Sequence, residues 1–169
     1  MVRPDKYRIL GVDPGSRATG YGVIEKDGNR LQYVACGVIR ATNRMTFAER
    51  LKTIHDGLCE VIIAQDPVVA AIEDVFVAVN PRSALKLRHA RGVAILAAMQ
   101  HGLAVHDYTP RMIKQAVVGY GNAEKVQVQQ MVRILLRLSV SPSNDAADAL
   151  AVAICHANQL QAGGETVNR

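Results

Sequence analysis

The run Val68-Val69-Ala70-Ala71-Ile72, set off by Pro67 and closed by Glu73, constrains the fold of this chain more than any other segment. It shows no polar alternation, so it does not describe a strand with one wet face. It predicts a central strand buried on both faces. Such a strand needs partners on each edge and a helical layer above and below. The rest of the chain supplies them. Residues 7–12, 20–25 and 31–40 predict three strands, with turns at Asp13-Pro14-Gly15-Ser16 and Asp27-Gly28-Asn29. Thr46-Phe47-Ala48-Glu49 is a capping-box pattern opening a helix whose inner face is Leu51, Ile54, Leu58 and Ile62. Asn80-Pro81 starts a second helix that stops before Gly102, and residues 103–108 predict a fifth strand. Thr109-Pro110 caps a short helix over 111–118, a further helix covers 124–137, and a last one runs from the break Ser141-Pro142-Ser143-Asn144 to about residue 160. A meander followed by strand–helix crossovers predicts an α/β fold: a mixed five-stranded sheet with helices on both faces. We expect one domain over residues 1–160 and a flexible tail over 161–169.

Four carboxylates stand where carboxylates are rare. Asp13 ends the apolar run Ile9-Leu10-Gly11-Val12, Glu73 ends the central run, and Asp145 and Asp148 open an otherwise apolar helix. Acids are seldom buried unless paired or bound to a cation. Three segments that each aim an acid out of core-like sequence predict one shared site. Without Cys or His ligands, such a site suits a hard cation such as Mg²⁺ or Mn²⁺, and that cation points to phosphate chemistry. Asp145 and Asp148, three apart, share a helix face. In isolation Asp145 reads equally as an N-cap and Asp148 as a first-turn charge, but the four-acid set favours the site. Asp74 is excluded, because strand alternation turns it to the opposite face.

Charge and cysteine content fit this chemistry. Lys and Arg total 20 against 15 acids, for a net charge of +5. Several of those acids belong to the proposed site, so the remaining surface is more basic than the net figure, as expected for a protein that holds a polyanion. Cys36, Cys59 and Cys155 are scattered, without Cys-x-x-Cys spacing, which argues against zinc and against a disulfide framework. No apolar stretch has the length of a membrane span and no signal-peptide pattern opens the chain, so a soluble, cytoplasmic protein is expected.

Gly11-Val12-Asp13-Pro14-Gly15-Ser16 with Thr19-Gly20-Tyr21-Gly22-Val23 resembles the first hairpin of the ribonuclease H-like superfamily. Ile72-Glu73-Asp74-Val75-Phe76, Ser83-Ala84-Leu85-Lys86-Leu87 with Ala90-Arg91-Gly92, Lys114-Gln115-Ala116-Val117-Val118-Gly119 and Asp145-Ala146-Ala147-Asp148-Ala149-Leu150-Ala151 resemble the RuvC family of crossover-junction endodeoxyribonucleases, or Holliday-junction resolvases. The resemblance implies a ribonuclease H-like nuclease of recombination and repair whose acids are Asp13, Glu73, Asp145 and Asp148. It implies two divalent ions about 4 Å apart at the scissile phosphate, Mg²⁺ with Mn²⁺ as substitute, and products with 5′-phosphate and 3′-hydroxyl ends. Lys114 and Lys125 match basic positions near the cleaved strand, where they would hold phosphate or offset charge. Phe76 matches an aromatic that stacks on or wedges between bases, although a core phenylalanine is the plainer reading.

The helix after Asn80 carries Arg82, Lys86, Arg88, His89 and Arg91 in its first half, while residues 93–99 are entirely apolar and must be covered by the core or a partner. The resemblance implies a two-fold homodimer through this region, matched to the symmetry of a four-way DNA junction and nicking two strands symmetrically. Arg82, Lys86, Arg88 and Arg91 are candidate DNA contacts. Arg88-His89 stand where the family more often has small or uncharged residues, and Pro81-Arg82 is also unusual; the extra charge either adds to DNA binding or alters the dimer edge. A branch-migration helicase complex of the RuvA and RuvB type is the partner implied. His156, two turns beyond Asp148, reads as a packing or surface residue. The fold also admits a junction-binding module with a dead site, or a nuclease for RNA or flap substrates. The four intact acids argue against the first.

Overall fold

The computed structural model describes residues 6–74 and 80–162. Three strands open it, β1 (Lys6–Asp13), β2 (Ala18–Asp27) and β3 (Arg30–Arg40). Then come α1 (Phe47–Gln65), β4 (Val69–Glu73), α2 (Pro81–Gln100), β5 (Ala104–Tyr108), α3 (Pro110–Val118), α4 (Lys125–Leu135) and α5 (Asn144–Ala162). The sheet order is β3-β2-β1-β4-β5. The first three strands pair antiparallel, while β4 lies parallel to both β1 and β5. This is the mixed five-stranded sheet the strand order predicts.

The apolar run is the buried strand β4, where no residue from Val69 to Ile72 exceeds 5% exposure. Val68, expected inside it, is 54% exposed and belongs to the connection. Its N–H still bonds the Arg8 carbonyl of β1 at 3.1 Å, but its side chain, just past the left-handed Asp66 at φ 47, stays in solvent and the strand proper begins at Val69. Alternation along the strands sorts side chains into two cores. Ile9, Val69 and Ala71 pack beneath α3, α4 and α5. Leu10, Val12, Ala70 and Ile72 pack against α1 and α2.

Local chemistry sets the helix starts. The Thr46 hydroxyl accepts from the Glu49 N–H at 3.2 Å while Glu49 accepts from the Thr46 N–H at 2.6 Å. Asn80 caps α2 by accepting from the Arg82 N–H at 2.8 Å, ahead of Pro81. Thr109 does the same for α3, which starts at Pro110, one residue before the expected 111. Helix α4 stops at Leu135, two residues short of the expected end. Arg137 turns left-handed at φ 53, and the Leu138 N–H closes onto the Arg133 carbonyl at 2.9 Å. Helix α5 continues to Ala162, past the expected 160, and residues 163–169 of the expected tail lie outside the described residues. The apolar half of α2 divides: Ala94, Ala97 and Ala98 are buried, whereas Leu96 and Met99 are 51% and 57% exposed.

Candidate active site

Strand parity aims the first two acids. Val12 and Ile72 are register partners and both face α1 and α2. The next residues, Asp13 and Glu73, therefore turn together to the α5 side, at the C-terminal ends of parallel neighbours. The turn after Asp13 is locked by Thr19, which is fully buried. Its hydroxyl donates to the Gly15 carbonyl at 2.8 Å and accepts from the Gly15 N–H at 3.2 Å.

The other two acids arrive on α5, and glycines decide where that helix lies. A Cβ on Gly20 would stand 2.0 Å from the Asp145 carbonyl oxygen, and one on Gly11 would stand 2.0 Å from that of Ala149. Only hydrogen at these positions lets the α5 backbone touch β1 and β2. Gly20 thus seats the turn that carries Asp145 and Asp148. Sequence reasoning missed this role; its signal was a glycine inside a strand, which marks close backbone approach. Asp145 is not the helix cap, since the first turn closes from the Ala147 N–H to the Ser143 carbonyl at 2.8 Å. Carboxylate oxygens of Asp13, Asp145 and Asp148 lie within 4.8 Å of one another, and Glu73 joins them through a side-chain hydrogen bond with Asp13.

The cluster holds more negative charge than the chain offsets. Burial first, then the contact with Glu73, raises the Asp13 carboxyl to about 9. Burial also raises Glu73, although accepting the Asp13 hydrogen bond pulls it back. Lys125 answers on one side: its Nζ lies 2.6 Å from Asp148 Oδ2, and that hydrogen bond raises the lysine. Lys114 and Lys125 line the same open cleft as Glu73 and Asp148, a space of about 210 Å³ walled by Pro110, Ile113 and Val128. An all-oxygen donor set with a carboxyl that still keeps its proton fits a divalent cation, which would take the place of that proton. Asp13, Glu73, Asp145 and Asp148 are the residues able to hold it.

The remaining candidates scatter. Arg82, Lys86 and Arg88 are exposed on α2, with Lys86 Nζ 5.9 Å from the centre of the Phe47 ring. Arg91 turns inward: its Nε lies 3.6 Å from Asp74 Oδ1, and its Nη2 pairs with Asp107. Phe76 lies outside the described residues. His156 is buried, with Nδ1 2.7 Å from the Tyr108 hydroxyl.

The family model for crossover junction endodeoxyribonuclease RuvC matches residues 9–156. The chain belongs to the RuvC family. The RuvC of Cupriavidus metallidurans is 58% identical over 160 residues, which cover 95% of this chain and 86% of that protein. The RuvC of Geobacter metallireducens is 58% identical over 151 residues, covering 89% and 92%. Among solved structures, Thermus thermophilus RuvC in complex with a Holliday junction substrate superposes with a TM-score of 0.88 at 33% identity, covering 93% of this chain and 96% of that one. The sheet and its helices are therefore those of a RuvC, a ribonuclease H-like fold.

Proposed function

We propose that this chain is a crossover-junction endodeoxyribonuclease that resolves four-way DNA junctions in recombination and repair by paired, symmetric nicks. One observation carries the reading. Four carboxylates from three segments converge beside two lysines in an open cleft. The family relation supports it, as does the solved Thermus thermophilus relative bound to a Holliday junction.

The four acids hold two divalent ions, Mg²⁺ or in its place Mn²⁺. When bound, such ions supply Lewis-acid stabilisation of a phosphate and lower the pKa of a coordinated water. The chain's own residues do the rest. Lys114 and Lys125 stand on the wall of the cleft, where their charge meets the scissile phosphate and offsets what develops on its oxygens. Lys125 also restrains Asp148 through their ion pair. The products carry 5′-phosphate and 3′-hydroxyl ends.

Arg82, Lys86 and Arg88 extend the basic surface along α2 and contact junction backbone, and Phe76 stacks on bases. The exposed faces of Leu96 and Met99 on the same helix are covered by a second copy of the chain, which makes a homodimer whose two sites match a two-fold junction. A branch-migration helicase complex delivers the junction. No helix among the described residues is long and apolar enough to cross a membrane, and the substrate puts the enzyme in the cytoplasm.

The test is cleavage of a labelled synthetic four-way junction beside a matched linear duplex, with Mg²⁺ and with EDTA. Paired nicks on the junction alone, and only with the cation, are expected. Equal cutting of duplex overturns junction selectivity, and tight binding without nicks in Mg²⁺ overturns the nuclease.

A further inference from the structure

We propose that Arg91 is a positioning residue for the nuclease site, bracing the strand end that carries Glu73, and that it contacts no phosphate. The inference rests on the nuclease reading above. It starts from parity. Asp74 follows Glu73 and faces the opposite side of the sheet, toward α2, where Arg91 meets it with Nε 3.6 Å from Oδ1. The same guanidinium pairs through Nη2 with Asp107 on β5. The guanidinium thus hydrogen-bonds Asp107 through Nη2 and faces Asp74 as an ion pair, its buried Nε making no hydrogen bond, and its breadth reaches both strand ends where a lysine's single ammonium group does not. The backbone adds a second tie, because the Asp74 N–H donates to the Tyr108 carbonyl at 2.9 Å.

Tyr108 completes the connection. It is the register partner of Glu73, and its side chain lies on the α5 side of the sheet. There its hydroxyl pairs with His156 at 2.7 Å, on the helix that bears Asp145 and Asp148. The end of β5 is therefore held from α2 through Arg91 and from α5 through His156, and Glu73 sits beside it. Loosening the Arg91 bridge frees the end of β4 to drift from the other acids. Two features argue against a role on DNA. The side chain is only 19% exposed, and two carboxylates more than neutralise its charge locally.

The experiment compares wild type, Arg91→Gln, Arg91→Lys and Asp107→Asn. Junction binding is measured against salt concentration in EDTA, and single-turnover cleavage is measured in Mg²⁺ at saturating protein. A lost phosphate contact lowers the slope of log affinity against log salt by about 0.9. We expect affinity within about twofold of wild type and an unchanged slope for all three variants, with cleavage slowed about tenfold or more. Arg91→Lys should fail like Arg91→Gln, because it keeps the charge and loses the guanidinium's breadth. Asp107→Asn breaks the bridge from the other end, so it tests the same brace if an Arg91 variant does not fold. The Arg91→Gln/Asp107→Asn double variant should be little worse than either single one. A reduced salt slope in Arg91→Gln that Arg91→Lys restores overturns the proposal, as does full cleavage by Asp107→Asn. A wild type that never cuts junctions sinks the nuclease reading itself and this proposal with it. Wild-type cutting with full activity in all three variants sinks the Arg91 proposal alone.

Discussion

Adding one methyl group at Gly20 should disarm the site without touching an acid. The Cβ of Gly20→Ala would sit 2.0 Å from the Asp145 carbonyl oxygen and 2.6 Å from its carbonyl carbon. Carbon and oxygen in close non-bonded contact stay about 3.3 Å apart, so strand and helix must part by roughly 1.3 Å, the difference between that figure and 2.0 Å. The obstacle is backbone, which cannot swing aside as a side chain can. The displaced turn carries Asp145 and Asp148, whose oxygens lie within 4.8 Å of that of Asp13. A misplacement of about 1 Å costs on the order of 100-fold in rate, and overpacking costs about 1–3 kcal/mol in stability. A domain with about 5–15 kcal/mol of stability survives that loss. Gly28→Ala is the matched control. Nothing lies within 4 Å of its Cβ, but φ is +56, so it should lose a little stability and keep its activity. Single-turnover junction cleavage and thermal unfolding of both variants provide the comparison. If Gly20→Ala cuts within about threefold of wild type, the seating of α5 does not set the site's geometry and the reasoning fails.

Asp13→Asn should abolish cleavage while junction binding persists or tightens, because removing an acid lessens its repulsion of phosphate; normal cutting in a nicking assay would refute the site assignment. Lys114→Gln should slow single-turnover cleavage on the order of 100-fold through lost charge stabilisation, with retained rates counting against a role in the cleft. The cation-free protein should lose stability as pH rises from 3.8 to about 9. Asp13 moves from the usual 3.8 to about 9 on folding, so below 3.8 both states hold the proton and nothing is lost. Above that value the unfolded chain releases its proton first, and the folded state loses up to about 1.4 kcal/mol per pH unit until about 9. Thermal unfolding in EDTA should show this slope in wild type and a shallower one in Asp13→Asn, where the buried Glu73 still contributes; equal slopes would refute the burial argument. Leu96→Glu should give monomers by sedimentation and uncoupled single nicks, and a stable dimer with that variant would put the interface elsewhere.

Much of this molecule was legible because single residues announce their environments. Pro67 and the unbroken apolar run identified β4, and the caps at Thr46, Asn80 and Thr109 identified three helix starts. The four acids were visible as charges inside apolar sequence, and alternation alone separated Glu73 from Asp74. Boundaries slipped where backbone conformation decided them. Asp66 and Arg137 both adopt positive φ, and neither is a glycine, so no residue type marked the left-handed turns that displaced the start of β4 and the end of α4.

What stayed hidden depends on pairs of segments far apart in the chain. The distance between α5 and the sheet is set by missing side chains on one element facing backbone on another, as at Gly20 and Asp145. Hydrophobic patterning reports which face is buried; it carries no measure of how closely two backbones approach. The basic half of α2 poses the same difficulty for charge. Arg88 and Arg91 are indistinguishable as letters in a cationic helix, yet the first is exposed and the second forms ion pairs with Asp74, just past β4, and Asp107 on β5. The parity that excluded Asp74 from the metal cluster also turns it to the α2 side, where its partly buried carboxylate meets the Arg91 guanidinium. A partly buried acid thus shapes its surroundings outside the active site as well as inside it.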